Sequence, residues 1–153
     1  MDGNQMNREE IFETLKVDEG VKYEIYADHL GYHTFGVGHL VTNEDTEWGQ
    51  EFGTPVSEER VWECFDKDLD TSISECHVLY GQGVFEEFPE TVKQVVVNMM
   101  FNMGRPRLSK FKKFNAALLA NDWKEAAVEG RDSRWHKQVT NRAERLMVKL
   151  EDI

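Results

Sequence analysis

The chain has 153 residues, of which 40% are hydrophobic, and 18 Lys and Arg stand against 29 Asp and Glu for a formal net charge of −11. That length fits one domain, or two small lobes sharing a core. The acidity argues against nucleic acid as the main partner, since phosphate binding needs a basic surface, and no apolar run is long enough to predict a membrane span.

The opening residues, MDGNQMNREE, lack the basic and apolar regions of a signal peptide, so a soluble cytosolic product is expected. The charge is uneven along the chain: −10 over residues 1–60, −6 over 61–104 and +5 over 105–153. A well-solvated acidic surface is the plain reading. The sharper one is that the basic part beginning RPRLSKFKK (105–113) faces an anionic polymer.

Asn7 and Glu10, three residues apart, pair as N-cap and capping box and predict a helix from about Arg8. Ile11, Phe12 and Leu15 supply its apolar face, Gly20 its stop, and residues 1–6 a frayed extension. Val21–Tyr26 reads as a short strand, turned by Asp28–Gly31 into a second at Tyr32–Phe35. Gly36 and Gly38 suggest a bulge or a close backbone approach. A hairpin this small is marginal alone and must pack on helices.

Residues 43–56 are turn-rich and acidic, a loop. Ser57 then caps a helix with Glu58 and Glu59 in its first turn, and apolar residues recur at helical spacing to about residue 77. A Gly-containing loop (81–88) leads to the stripe Val92, Val95, Val96, Met99, Met100, Met103, which predicts a buried central helix ending at Gly104-Arg105-Pro106. Two or three further helices follow, at 108–120, about 122–130 and about 141–150. Cys64 and Cys76 share the helix starting at Ser57 but sit roughly 18 Å apart along it, so reduced thiols are expected rather than a disulfide.

One small β unit followed by nearly all helix is an α+β pattern with segregated parts. The domain reading is a single domain over 1–153: a small β lobe at about 20–56, a linking helix at about 57–77, and a helical lobe at about 78–150 joined by the first helix, 8–19. The natural ligand site is the cleft between lobes.

Glu19 and Asp28 are acids on different elements and could converge on one substrate bond. Glycosidic hydrolysis needs one carboxylic acid to protonate the leaving oxygen and a second carboxylate to activate water or stabilise charge at the sugar carbon. Glu19, at a helix end beside apolar neighbours, is the better acid; Asp28, at the lip of a turn, would stay ionised; and Thr34 could hold a water for attack. Spacing alone leaves two solvated surface acids as the competing reading.

The run Asp18-Glu19-Gly20, Tyr26-Ala27-Asp28 and Gly31-Tyr32-His33-Thr34-Phe35-Gly36-Val37-Gly38-His39-Leu40 resembles the active-site signature of the T-even bacteriophage lysozyme family. Two further blocks are similar to that family in the same order: Asn98–Gly104, and Asp122–Ala127 with Ser133-Arg134-Trp135 and Asn141-Arg142-Ala143. The resemblance spans about residues 9–149.

It implies a lysozyme-like fold and a muramidase cleaving the β-1,4 bond between N-acetylmuramic acid and N-acetylglucosamine in peptidoglycan, with inversion. Residue by residue it implies Glu19 as general acid, Asp28 as second carboxylate and Thr34 near the attacking water. Leu40, Phe101 and Asn102 become saccharide contacts, Asn102 standing where the family usually has glutamine, and Arg142 a supporting residue approaching the glutamate. No cofactor and no metal is implied, and His39 is expected to be structural, paired with Asp68. His33, His77 and His136 are expected at the surface, the methionine stripe in the core, and Trp123 and Trp135 as core anchors.

Departures are a shortened loop at 43–56, and Phe114 and Glu129 at two saccharide-contacting positions. The implied role is host lysis as a phage or prophage endolysin, a monomer without membrane insertion, waiting in the host cytoplasm for release to the periplasm and wall. The alternatives are a lysozyme carried on the virion tail and a catalytically silent peptidoglycan-binding module.

Overall fold

The computed structural model describes residues 6–153, so the extension expected at 1–6 lies, apart from Met6, outside the described residues. The elements are α1 (Arg8–Glu19), β1 (Lys22–Ala27), β2 (His33–Gly36), β3 (His39–Leu40), α2 (Glu58–Tyr80), α3 (Gln82–Glu87), α4 (Glu90–Leu108), α5 (Lys112–Leu119), α6 (Trp123–Arg131), α7 (Arg134–Gln138) and α8 (Thr140–Glu151). A small antiparallel sheet with helices before and after it is the α+β fold expected from the chain. Among the described residues no helix is long and apolar enough to cross a membrane.

The chain divides into two compact units, one of residues 7–70 and one with residues 71–153 as its body. The division falls within α2, and α1 belongs to the first unit, whereas the sequence reading grouped it with the C-terminal helices. In that unit the Asn7 carboxamide accepts the Glu10 amide (3.1 Å), capping α1. Phe12 of α1 meets Trp62 and Phe65 of α2 at ring-centroid distances of 4.9 and 4.7 Å. The Arg8 guanidinium donates to the Asp66 carboxylate at 2.7 Å and to Asp70 at 2.8 Å.

The sheet has order β1-β2-β3, one strand more than the predicted hairpin. β3 is only two residues long, too short to show alternation, and is reached through a tight turn at Val37 and Gly38. Gly36 is a close approach as expected: a Cβ there would stand 3.2 Å from Val61 Cγ1 of α2, and its φ of +65° favours glycine. The stretch predicted as loop also pairs with β1. Ile25 N donates to Thr54 O (2.9 Å), Gly53 N to Ile25 O (2.7 Å) and Val56 N to Tyr23 O (2.9 Å). These bonds are made by backbone and leave no apolar periodicity to read.

In the second unit α4 carries the predicted apolar stripe, and Val92, Val95, Val96, Met99, Met100 and Met103 are all buried. The expected stop survives as an interruption: Gly104 leaves helical geometry (φ 80°, ψ 162°) and a further turn runs on to Leu108. The expected loop at 81–88 contains α3, and α7 was also unpredicted; each is too short for a periodic signal. Tyr80 donates to Asn115 Oδ1 (2.7 Å) and Asn115 Nδ2 to Leu108 O (2.9 Å), a buried polar chain with its partners satisfied. Cys64 and Cys76 are free and buried, and burial pushes the thiols up to about 11 and about 12. They are inert thiols.

Candidate active site

Glu19 is the last residue of α1 and is half-buried. The helix stops there because Gly20 takes a φ of +80° while its N–H still reaches Lys16 O at 2.9 Å. Asp28 follows β1 and organises the turn, its Oδ1 accepting the Leu30 amide at 2.8 Å and the Tyr32 amide at 2.9 Å. The Tyr32 amide is the main reason the Asp28 carboxyl lies below its ordinary range; burial opposes it and the Leu30 amide adds to it. Asp28 is therefore a stable anion.

Thr34, on β2, is only 3% exposed, and its Oγ1 donates to Tyr32 O at 3.0 Å. Leu40 on β3 is 48% exposed, which suits a surface contact. The strand register pairs Tyr26 with Thr34 and Thr34 with Leu40. Directly paired residues in an antiparallel sheet send their side chains to the same face, so Tyr26, Thr34 and Leu40 form one row.

Sequence reasoning missed Tyr26. The Lys22 ammonium lies 4.5 Å from its ring centroid, and the ring is half-buried. Burial first, then the negative charges of Asp28 and Glu19, push its phenol up. Both acids picked from the sequence therefore act on the same hydroxyl. The available signal was position, since Tyr26 stands two residues before Asp28, near the end of β1.

In the second unit Phe101 and Asn102 are neighbours on α4, both half-buried. Trp135 Nε1 donates to Asn102 Oδ1 at 2.8 Å, which fixes the carboxamide so that its NH2 points elsewhere. Arg142 is 8% exposed on α8, with Nε donating to Asn98 Oδ1 (2.9 Å) and an Nη2 proton to Asn98 O (3.3 Å). Phe114 is fully buried against Phe111, a core residue where a saccharide contact would need exposure. Trp135 is buried as a core anchor, and Trp123 is half-buried with its ring edge-on to Phe88.

Residues 16–149 match the model of one family, described as phage lysozyme. The chain belongs to the phage lysozyme family. Among its relatives is the pre-baseplate central spike protein Gp5 of Enterobacteria phage T4, 31% identical over 151 residues. That alignment covers 88% of this chain and 26% of the spike protein, so the chain spans about a quarter of that relative. Two proteins of Dictyostelium discoideum are each 29% identical. They are probable T4-type lysozyme 2, aligned over 87% of this chain and 88% of its own length, and probable T4-type lysozyme 1, at 92% and 93%. As a member of the phage lysozyme family the chain is, by class, a glycoside hydrolase. Glu19, Asp28, Thr34, Leu40, Phe101, Asn102 and Arg142 all lie within the matched span.

The first unit holds His39 between two carboxylates. Nδ1 bonds Asp68 Oδ2 at 2.8 Å, as expected, and Nε2 bonds Asp45 Oδ2 at 3.0 Å. Burial pulls the imidazole pKa down, but the hydrogen bonds and charges of Asp68 and Asp45 outweigh it and the net direction is up. Cys64 Sγ joins His39 and Asp45 within 4.8 Å, a set of types that can bind metal. Both ring nitrogens are already bonded to carboxylates, the thiol is held protonated by burial, and the Arg60 guanidinium sits 3.3 Å from Asp45. Those features fit an ion-pair cluster better than a cation site.

Three other histidines are not the plain surface residues expected. His33 stacks on Phe52 at 4.0 Å, His77 pairs with Glu86 at 2.7 Å and His136 with Glu144 at 2.9 Å, and all are half-buried. Their carboxylate and aromatic partners come from elsewhere in the chain, which sequence spacing does not report.

Proposed function

We propose that this chain is a muramidase that hydrolyses the β-1,4 bond between N-acetylmuramic acid and N-acetylglucosamine in peptidoglycan. The observation carrying the reading is that residues 16–149 match the phage lysozyme family, with Asp28 inside that span held ionised by the Tyr32 and Leu30 amides. Glu19 ends α1 and Asp28 directly follows β1, both in the first unit, and glycosidic hydrolysis uses two carboxyl groups on one bond.

Glu19 protonates the leaving glycosidic oxygen. Asp28, kept ionised by the Tyr32 and Leu30 amides, takes a proton from the attacking water and faces the positive charge developing at the sugar carbon. The Thr34 hydroxyl has given its hydrogen to Tyr32 O, so toward a water it is an acceptor. A water donating to Thr34 and Asp28 keeps its oxygen lone pairs for the sugar carbon. Attack from the face opposite the leaving group inverts the anomeric centre. By the family's pattern Leu40, Phe101 and Asn102 are proposed as glycan contacts and Arg142, held by Asn98, as a supporting residue.

The test is release of new reducing ends from purified peptidoglycan. Wild type should release them, with the first product in the α-anomer by NMR, and Glu19→Gln should fall at least about a hundredfold, the usual contribution of a general acid. Equal activity of the two would overturn the assignment. A β-anomer would remove inversion alone.

Host lysis as an endolysin is the biological role we assign, with release from cytoplasm to wall by a separate membrane-permeabilising protein. The similarity to a phage central spike protein favours a second reading, a lysozyme carried on the virion for entry. Antibody detection of the chain in purified virions distinguishes the two.

A further inference from the structure

Tyr26 belongs neither to the acid pair nor to the implied saccharide contacts. Its place is set by backbone pairing: Tyr26 opposite Thr34, Thr34 opposite Leu40, one row across all three strands. The two other members of that row already have assigned work, the water at Thr34 and the glycan at Leu40. Asp28 is two residues further along the chain, just beyond the end of β1.

The ring is held rather than loose. Lys22 lies over it at 4.5 Å, and the residue is half-buried, so part of its surface remains open. Lys22 also supplies the cation on this side of the row, opposite in sign to Asp28 and Glu19. Burial and the two carboxylates keep the hydroxyl protonated across the working range. A neutral phenol beside two acids can donate a hydrogen bond without taking part in their proton transfers, and glycans present hydroxyl and acetamido oxygens that accept one.

We propose that the Tyr26 hydroxyl is a saccharide contact, donating a hydrogen bond to an oxygen of the glycan bound along the Tyr26–Thr34–Leu40 row. This rests on the muramidase reading for the identity of the glycan. Aromatic rings also offer a flat apolar face to a sugar, so Tyr26→Phe separates the hydroxyl from the ring while preserving the Lys22 contact.

The experiment compares wild type with Tyr26→Phe. Binding of a thio-linked, uncleavable tetrasaccharide of alternating N-acetylglucosamine and N-acetylmuramic acid is measured by calorimetry, beside thermal melts and peptidoglycan kinetics. Loss of one neutral hydrogen bond predicts a Kd raised roughly 3- to 10-fold, KM raised by about the same factor, kcat little changed, and an unchanged Tm.

Unchanged Kd overturns the proposal, as does a Kd change that comes only with a lowered Tm. A shifted pH profile with unchanged Kd also overturns it, since Tyr26 would then act through the carboxylates instead of on the sugar. Failure of the muramidase reading shows differently. Glu19→Gln would then match wild type on peptidoglycan, whatever Tyr26→Phe does to thio-glycan binding.

Discussion

Replacing His39 with glutamine tests the ion-pair cluster in the first unit. The imidazole makes two charge-assisted contacts, 2.8 Å to Asp68 and 3.0 Å to Asp45, with side-chain exposures of 13% for His39, 14% for Asp45 and 34% for Asp68. A hydrogen bond to a charged partner contributes about 1.5–3 kcal/mol when shielded, and the Asp68 contact counts for less because a third of that side chain faces solvent. Together they predict a loss of about 2–3 kcal/mol for His39→Gln at pH 5.5, or roughly 4–10 °C in Tm for a chain of this size.

The pH dependence follows from the raised pKa. The contribution of His39 is fully present below the unfolded value of 6.5 and is lost as pH rises through the higher folded value. Asp45 shifts the other way: burial raises its carboxyl, but the Thr42 amide, His39 and Arg60 together lower it, so its contribution disappears as pH falls through the folded value. The cluster therefore contributes most on the acid side of neutrality, above the folded pKa of Asp45. Above the folded pKa of His39 the neutral ring has one N–H for two carboxylates, and Asp45 keeps its Arg60 contact at 3.3 Å. Melts of wild type and His39→Gln at pH 5.5 and 9 should show the difference shrinking as pH rises. A constant difference, or a larger one at pH 9, would refute the reasoning.

Gly36→Ala should destabilise by about 2 kcal/mol, because a positive φ and a Cβ 3.2 Å from Val61 act together. Gly31→Ala has the positive φ but nothing within 4 Å, so its melt should fall by clearly less. Trp135→Phe removes the donor to Asn102 Oδ1, and should cost about 1–2 kcal/mol, shift the Asn102 side-chain amide resonances and raise KM on peptidoglycan. Lys110, Lys112 and Lys113 are all exposed, and changing the three to Gln should flatten the decline of wall lysis with added salt if this run meets the anionic wall. An unchanged salt profile would remove that role.

Strong local signals carried much of the architecture. Asn7 with Glu10 marked the start of α1, Gly20 its end, and Ser57 the start of α2, whose Oγ accepts the Arg60 amide at 3.1 Å. Each is a bond between residues close in sequence, so residue types alone predict it. The apolar stripe of α4 was readable because a buried helix repeats at 3.6 residues. β3, α3 and α7 were not, being shorter than any period that could show them. Asp28 and Glu19 were readable as acids on two elements, but nothing local distinguished them from other acids of an acidic chain.

What the sequence by itself determined was the order of helices and strands, the cap residues and the acids available for chemistry. All of these depend on neighbours within a few positions along the chain. Tertiary structure decided who stands beside whom: Tyr26 in the row with Thr34 and Leu40, and His39 between Asp45 and Asp68. It also set Trp135 on Asn102 and Arg142 on Asn98. Those partnerships join residues up to 44 positions apart, and strand register and helix packing set them. Neither leaves a mark in the residues on one side alone.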